Sequence, residues 1–539
     1  MSSSFSRYER RLRAFGQWCW AWGWRVALIL ALGAVGALGF RPLALWPATL
    51  LGVGALVWLT RRVQSVRWAG FVGWLWGVGH FSAGNSWIAT AFTYQAKMPQ
   101  ALGGVAVVLL SLYLALFPAL AAAGAWFFRR DARAMVPAFA GLWIVTEWGR
   151  SWLFTGFAWN PLGVALLGDD LHPGLAGLAP WLGTYGLSGL MAGLAAVAAV
   201  GAQALAGADR FRGAALIAGP VVLVGGVMVW PMSAQRPEGH IAYTLVQPNI
   251  SQEDLNDPSH FEAQFEQTAR LSMPRHPGDR RLLLWPESGV PDYMRDGYPA
   301  WLYQNTFYGD PWLARLRLGR VAGGRGLLLT GSVDVDIKDQ MEVGGQNVIT
   351  VLNGEGHIVG SYAKAHLVPY GEYLPMRPLL ERIGLARLVP GDIDFRAGPG
   401  PRTVDLGDLG KAGMQICYEI IFSGQVVDRA HRPDYIVNPS NDGWFGDWGP
   451  PQHLAQARLR AIEEGLPVLR STTNGVSAVV DADGIVRHSA PRGVAARFDG
   501  FVPPAHAPTL FARSGNILPL GLALVLLAAS ALVLWRRRV

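Results

Sequence analysis

The sequence is poor in cysteine. Its 539 residues include two, Cys19 and Cys417, which lie far apart in the chain. A framework of disulfide bonds therefore cannot hold the fold together. Cys19 lies in a run of alternating tryptophans, typical of an aromatic belt at a membrane surface. Cys417 instead ends an apolar stretch and is followed two positions later by Glu419, so its chemical setting needs an explanation.

Charged residues are also scarce. They make up 16% of the chain, whereas 51% of the residues are hydrophobic and 23 are tryptophan. This composition is too apolar for an ordinary water-soluble protein and indicates membrane spans of about 20 apolar residues each. The hydrophobic runs predict eight spans, namely Val26–Gly39, Leu43–Leu59, Trp68–Ile88, Leu102–Phe128, Met135–Leu153, Leu175–Ala206, Ala214–Trp230 and Ile517–Trp535.

The arginines are concentrated in alternate loops. They cluster before the first predicted span, after the second, fourth and sixth spans, and in the C-terminal tail. The positive-inside rule places these segments, and so both termini, in the cytoplasm, and it places the region after Trp230 on the opposite side. The net charge of +8 is therefore mostly a topology signal and gives no reason to expect a nucleic-acid partner.

The composition changes between residues 236 and 514. Short apolar runs typical of buried strands alternate there with helical patterns. We predict an α/β domain at 236–514 between a helical membrane domain at 1–235 and a C-terminal transmembrane helix at 515–539. The predicted strands are Ile241–Gln247, Leu282–Trp285, Gly326–Val333, Val348–Leu352, Ile358–Ala363, Ala412–Cys417 and Tyr435–Asn438, and the predicted helices are His260–Met273, Trp312–Arg320 and His453–Gly465.

Several motifs that would carry other chemistry are missing. The chain has no glycine-rich loop of the kind that binds phosphate, and its 11 histidines form no His-Glu-x-x-His pattern. We therefore expect no metal and no cofactor in the chemistry.

Polar residues follow three of the predicted strands. Glu287 comes after Leu282–Trp285 and Pro286, Lys364 after Ile358–Ala363, and Cys417 ends its strand. Side chains at the ends of neighbouring strands can converge. A thiolate attacks carbonyl carbon, a carboxylate can take the thiol proton, and an ammonium can stabilise the oxyanion that forms. The three residues are the parts needed for acyl transfer through a thioester.

Several sequence blocks carry a family resemblance. They are EWGRSWLFTGFAWNPLG (Glu147–Gly163), WPES (Trp285–Ser288), YAKAHLVPYGEYLP (Tyr362–Pro375), QICYEI (Gln415–Ile420), NPSNDGWFG (Asn438–Gly446) and RSTTNGVSAVVD (Arg470–Asp481). In this order they resemble the nitrilase superfamily and, over the whole chain, the apolipoprotein N-acyltransferase family. The resemblance implies a bundle of about eight transmembrane helices joined to a nitrilase-like α-β-β-α sandwich on the periplasmic side of the bacterial inner membrane.

The resemblance also implies an activity. An acyl chain would pass from a phospholipid, phosphatidylethanolamine by analogy, to the α-amino group of a diacylglyceryl-modified cysteine at the N-terminus of an apolipoprotein. Glu287 would be the general base, Lys364 the electrostatic stabiliser and Cys417 the nucleophile. The backbone amide of Tyr418 would be a second oxyanion donor.

Other residues are assigned with an alternative left open. Glu372 and Glu419 match supporting glutamates of the family, either as ion-paired braces or with a direct chemical role. Trp444 and Phe445 lie in a segment suited to a lid or a lipid contact, or to an ordinary packed loop. In the membrane part, Glu147 and Arg150 are three positions apart on a predicted span, and we favour a structural pair over a headgroup contact. The family's Lys-Trp pair is replaced here by Leu255-Asn256.

Two other functions compete with acyl transfer. A membrane-anchored amidase of the nitrilase type would hydrolyse small amides and need no lipid. A transporter or lipid-binding scaffold with an inactive hydrolase domain would have no chemical need for all of Glu287, Lys364 and Cys417.

Overall fold

The computed structural model describes residues 23–94, 99–207, 209–230, 237–276, 278–380, 382 and 394–537. The predictions for Cys19 and for the arginines before residue 23 lie outside the described residues. The helices are α1 (Gly23–Ala37), α2 (Trp46–Arg62), α3 (Val66–Gly84), α4 (Ile88–Ala91), α5 (Leu102–Leu114), α6 (Leu116–Trp126), α7 (Ala132–Arg150), α8 (Ala179–Leu205), α9 (Arg210–Met228), α10 (Phe261–Ser272), α11 (Pro311–Ala322), α12 (Arg377–Leu380), α13 (Gly449–Glu464), α14 (Leu510–Ser514) and α15 (Ile517–Trp535).

Each predicted span overlaps helix, with α5 and α6 together covering the fourth. Within the described residues, four helical segments are long and apolar enough to cross a membrane, namely Leu102–Trp126, Leu175–Leu205, Arg210–Met228 and Ile517–Trp535. The protein is therefore a membrane protein. The count of eight spans stays a prediction, because α2 has only 17 residues and α7 carries Glu147 and Arg150.

Local signals set the ends of several helices. Ser65, Asp131 and Asp209 precede α3, α7 and α9, and each side chain accepts a hydrogen bond from a backbone N–H of the first turn. Gly465, at φ +63°, ends α13 in the left-handed conformation that favours glycine. Such caps satisfy backbone groups that a helix end leaves without partners.

The described residues between 237 and 514 form two six-stranded mixed sheets. The first has the order β12-β1-β2-β3-β4-β5, and the second has the order β11-β10-β9-β8-β7-β6. Strands β1 to β3 are parallel to one another, as are β7 to β9. The strands are β1 (Ala242–Gln247), β2 (Leu282–Leu284), β3 (Leu327–Lys338), β4 (Met341–Asn353), β5 (Ile358–Ala363), β6 (Arg402–Asp405), β7 (Lys411–Met414), β8 (Tyr435–Val437), β9 (Val468–Arg470), β10 (Ser477–Val480), β11 (Val486–Ala490) and β12 (Ala496–Phe501).

The two sheets face each other and helices cover their outer faces. Leu282 and Leu284 share one apolar cluster with Val437 and Leu469 of the second sheet, whereas Leu283 joins the cluster under α10 and α11. This alternation follows from the two-residue period of a strand. Helix α13 covers the second sheet through a third cluster. The α-β-β-α sandwich beside a helical membrane region confirms the predicted fold class.

Candidate active site

Glu287 and Lys364 lie at the same end of the first sheet, where strands β2 and β5 finish. Glu287 follows β2 after Trp285 and Pro286, and Lys364 directly follows β5. Because β2 is parallel to β3, and β4 is antiparallel to both β3 and β5, strands β2 and β5 run in the same direction. Lys364 Nζ lies 3.4 Å from Glu287 Oε1, and both side chains are buried. The sheet topology thus joins two residues that are 77 positions apart.

Two further side chains complete a buried polar cluster around Lys364. Glu372 Oε1 accepts a hydrogen bond from Lys364 Nζ at 2.9 Å. Asn347 Nδ2, on β4, donates to Glu287 Oε1 at 2.7 Å and to Glu372 Oε1 at 3.1 Å. Burial lowers the pKa of Lys364, but the carboxylates of Glu372 and Glu287 outweigh it and hold that pKa above its ordinary value. Lys364 is therefore an ammonium at neutral pH. Glu372 forms an ion pair with Lys364.

Cys417 lies where the chain leaves the second sheet in a sharp turn. The sequence predicted a strand through Cys417, but β7 ends at Met414 and a 3-10 helix begins at Cys417 itself. The Cys417 backbone has φ +49°, a left-handed conformation that is strained for a residue with a side chain. Its N–H donates to the carbonyl of Pro439 at 2.9 Å. The nucleophile candidate is thus fixed on a strained turn.

The thiol of Cys417 is buried among charged groups. Burial raises its pKa well above the usual value, the negative charge of Glu287 raises it further, and the ammonium of Lys364 opposes both. The resting thiol is therefore protonated at neutral pH and needs a base before it can attack. Glu287, Lys364 and Cys417 lie within electrostatic reach of one another, and their catalytic roles stay a prediction.

Glu419 acts as a brace between the two sheets. Its Oε1 accepts hydrogen bonds from the Tyr362 hydroxyl at 2.8 Å and from the N–H groups of Ala365 and His366 at 2.7 and 3.0 Å. Its Oε2 accepts from the N–H of Ile416 at 2.7 Å. Burial raises the pKa of Glu419 to about 7. The hydrogen bonds from Ile416, His366 and Tyr362 oppose this rise, because they stabilise the carboxylate. Glu419 therefore ties the loop after Lys364 to the turn that carries Cys417.

The side chain of Tyr418 leaves the site and reaches the membrane region. Its hydroxyl donates to the carbonyl of Gly156 at 3.3 Å. Gly156 belongs to the loop between α7 and α8, whose neighbouring Phe154 is 88% exposed. The turn that carries Cys417 therefore contacts a loop with outward-facing apolar side chains.

Glu147 and Arg150 hold this same loop in shape. Arg150 Nη1 donates to the carbonyls of Phe157 and Trp159 at 2.8 and 2.9 Å, and Glu147 Oε1 accepts from the N–H of Leu162 at 2.9 Å. The two charged groups lie 3.8 Å apart. These contacts agree with the structural role that the sequence favoured for the pair.

Phe445 and Trp444 contact aromatic residues of the membrane region. The ring of Phe445 lies 4.7 Å from that of Trp87 and 5.6 Å from that of Trp159, and Trp444 meets Tyr94 edge-on at 5.7 Å. This segment is packed in the structure, and its role as a lid or lipid contact stays a prediction. Leu255, the first residue of the Leu255-Asn256 pair, is 7% exposed and faces inward.

The sequence did not reveal a second buried cluster behind Cys417. Arg470 Nη2 donates to both carboxylate oxygens of Asp442 at 2.7 Å. The Nδ1 atom of His453 lies 3.0 Å from Asp442 Oδ1, and its Nε2 lies 3.1 Å from the carbonyl oxygen of Cys417. Asp442 and Arg470 belong to the motif blocks Asn438–Gly446 and Arg470–Asp481, whereas His453 is the first residue of a predicted helix. No spacing rule joined the three.

Donor atoms of Cys417, Asp442 and His453 lie within 4.8 Å of one another, the kind of grouping that can hold a metal ion. The guanidinium of Arg470, however, lies against both oxygens of Asp442. A cation there would meet a fixed positive charge, so these residues do not fit a metal.

Two family models match the chain. The apolipoprotein N-acyltransferase N-terminal domain matches residues 32–197, and the carbon-nitrogen hydrolase domain matches residues 244–494. Among solved structures, an amidase from Nesterenkonia sp. AN1 aligns with 54% of this chain and 96% of its own, at 18% identity and a TM-score of 0.34. The two matched models correspond to the helical region and the sandwich.

Curated relatives match nearly the whole chain. Apolipoprotein N-acyltransferase of Bradyrhizobium diazoefficiens is 33% identical over 96% of this chain and 96% of its own, and that of Rhodopseudomonas palustris is 31% identical with the same coverage. The protein of the same name from Allorhizobium ampelinum is 33% identical over 86% of this chain and 87% of its own. The chain belongs to the apolipoprotein N-acyltransferase family.

Proposed function

We propose that this protein is a phospholipid:apolipoprotein N-acyltransferase that works through a thioester on Cys417. The observation that carries the proposal is the buried grouping of a thiol, a carboxylate and an ammonium. Lys364 Nζ lies 3.4 Å from Glu287 Oε1, and both charges act on the sulfur of Cys417. Membership of the family supplies the substrate class, and we expect phosphatidylethanolamine as the donor and its sn-1 chain as the transferred group.

The first half-reaction forms the thioester. Glu287 takes the thiol proton, and the sulfur attacks the ester carbonyl carbon of the phospholipid. The oxyanion is stabilised by the ammonium of Lys364 and by the N–H of Tyr418. The carbon–oxygen bond then breaks, the leaving alkoxide takes the proton from Glu287, and a lysophospholipid departs. The fixed positive charge of Lys364 favours both the thiolate and the oxyanion.

The second half-reaction forms the amide. The α-amino group of the diacylglyceryl-modified cysteine attacks the thioester, and Glu287 takes a proton from the amine. The carbon–sulfur bond breaks, and the sulfur regains the proton from Glu287. Glu287 thus acts as a base and then an acid in each half, and the order of events is ping-pong.

The membrane region has a reason to lie beside the site. Each CH₂ of an acyl chain costs about 0.8 kcal/mol to expose to water, so both substrates have to react at the bilayer surface. The loop that meets Tyr418 at Gly156 exposes Trp152 and Phe154, at 49% and 88%. We infer that these side chains, with Trp444 and Phe445, lie along the path of the acyl chain.

The proposed topology places residues 1–235 and 515–539 in or at the inner membrane and residues 236–514 in the periplasm. The ion pair between Arg537 Nε and Asp131 Oδ2, at 2.7 Å, supports a common side for the C-terminal tail and the loop before α7. Both segments are rich in arginine, which the cytoplasmic side favours.

A steady-state transfer assay tests the proposal. We expect the full chain in detergent micelles to convert an acyl-labelled phospholipid and a diacylated lipopeptide into lysophospholipid and N-acylated lipopeptide in equal amounts. The matched control is the same lipopeptide with its α-amino group acetylated, which offers no nucleophile. Hydrolysis of small amides without any lipid product would contradict the proposal and favour a membrane-anchored amidase. Comparing donors with ethanolamine, glycerol and choline headgroups tests the headgroup preference.

A further inference from the structure

The peptide group between Cys417 and Tyr418 is held by side chains from outside its own turn. The carbonyl oxygen of Cys417 lies 3.1 Å from His453 Nε2 and 3.4 Å from Asn438 Nδ2. A carbonyl only accepts hydrogen bonds, so both nitrogens donate to it. His453 lies on α13 and Asn438 directly follows β8, so two separate segments of the chain fix one carbonyl.

Fixing this carbonyl also fixes the N–H of Tyr418. A peptide group is planar and this one is trans, so its C=O and its N–H point in opposite directions. A hydrogen bond to the carbonyl also polarises the amide and strengthens its N–H as a donor. The contact to His453 therefore acts on the group that the proposed mechanism uses as an oxyanion donor.

His453 is itself held in one orientation. Its Nδ1 lies 2.9 Å from Arg470 Nη2 and 3.0 Å from Asp442 Oδ1, and all three side chains are buried. Burial and the positive charge of Arg470 lower the pKa of His453, so the ring is neutral at neutral pH. The Cys417 carbonyl can only accept, so Nε2 carries a ring N–H and donates to it, while Nδ1 lies against both the guanidinium of Arg470 and the carboxylate of Asp442.

The helix that carries His453 is anchored to the membrane region. Gln452, the preceding residue, accepts hydrogen bonds through Oε1 from Trp159 Nε1 and Asn160 Nδ2, both at 2.8 Å. The loop that contains Trp159 and Asn160 is the one that contacts Tyr418 through Gly156. The same loop thus meets the turn of Cys417 directly and through α13.

We propose that His453 is a positioning residue for acyl transfer, because its Nε2–H aims and polarises the Cys417–Tyr418 peptide whose N–H stabilises the oxyanion. Asp442 and Arg470 act through His453 by fixing the orientation of its ring. This inference rests on the proposed thioester chemistry. It adds that residues behind Cys417 control the rate of its acylation through the hydrogen bond from His453.

The test compares two reactions of the same thiol in the full chain in detergent micelles. Acylation of Cys417 by a phospholipid or by a 4-nitrophenyl ester passes through an oxyanion. Alkylation by iodoacetamide displaces iodide from carbon and forms no oxyanion. We expect His453→Met to slow acylation by both donors about 10- to 100-fold, which is somewhat less than the effect of losing an oxyanion donor itself. The same substitution should leave the rate of alkylation unchanged.

Conservative variants make the test independent of stability. In His453→Gln the side-chain amide reaches the place of Nε2 and should recover most of the acylation rate. In His453→Asn the shorter amide reaches only the place of Nδ1, so acylation should stay slow even if His453→Met fails to fold. Gln456→Met, a buried change on the same helix, is the matched control and should leave both rates unchanged.

Two results would overturn the proposal. One is an equal loss of acylation and alkylation in the His453 variants, which would indicate a structural role alone. The other is a His453→Gln variant as slow as His453→Asn. Failure of the proposed function is distinguishable, because the unaltered chain would then accept an acyl group from the 4-nitrophenyl ester but not from phospholipid, and the variants could still be ranked with the ester.

Discussion

Replacing Cys417 by alanine is expected to abolish acyl transfer while the chain stays folded and in the membrane. The substitution removes the sulfur that forms the thioester, and loss of a covalent nucleophile lowers turnover on the order of 10⁶-fold. The structural consequence is small, because the thiol is a single buried atom and its removal costs about 1 kcal/mol. Transfer is measured with labelled phospholipid and lipopeptide, and folding by thermal unfolding in detergent.

The chain offers a matched control for this variant. Cys19→Ala changes the other cysteine of the sequence. This variant should transfer acyl chains at the same rate as the unaltered protein. A Cys417→Ala protein that unfolds normally and still acylates the lipopeptide would exclude the thioester route.

Lys364→Met is expected to impair both stability and activity. The side chain is 1% exposed, and its ammonium lies between the carboxylates of Glu372 and Glu287, at 2.9 and 3.4 Å. Removing one partner of a buried ion pair leaves charge without compensation and costs about 3–5 kcal/mol. Loss of the oxyanion's counter-charge should lower transfer by about 10³-fold. Denaturant unfolding and the transfer assay measure the two effects.

A second substitution separates the two effects. Lys364→Met combined with Glu372→Gln removes one of the unpaired carboxylates, so unfolding should move back toward that of the unaltered protein while transfer stays low. Lys338→Met, at the exposed end of β3, is the control and should change neither quantity. Recovery of activity together with stability in the double variant would mean that Lys364 only supports the fold.

The strand ends were the most predictable part of the site. Glu287 and Lys364 follow apolar runs that form β2 and β5, so the sequence predicted their position at the ends of strands. The hydrophobic runs likewise located the helices of the membrane region. Strands such as β6 (Arg402–Asp405) and β12 (Ala496–Phe501) were missed, because they are short, half exposed and interrupted by charged residues.

The cluster behind Cys417 could not be predicted for a physical reason. Charged residues are rarely fully buried. The sequence of α13, which contains His453, Arg458, Arg460 and Glu463, therefore favours a helix with one face in water. In the structure these side chains are almost fully buried, because α13 lies between the second sheet and the membrane region. Arg458, for example, donates to the carbonyl of Gly168 at 3.2 Å. Only the packing of the two regions reveals this.

Intact mass measurement of the acyl-enzyme tests the thioester on Cys417 most directly. The full chain in detergent micelles is mixed with acyl-labelled phospholipid, freed of donor, and then given either buffer or a diacylated lipopeptide with a free α-amino group. We predict one acyl adduct, located on the peptide that contains Cys417, which the lipopeptide removes much faster than buffer does. An adduct elsewhere in the chain, or one that water removes as fast as the lipopeptide, would contradict the mechanism.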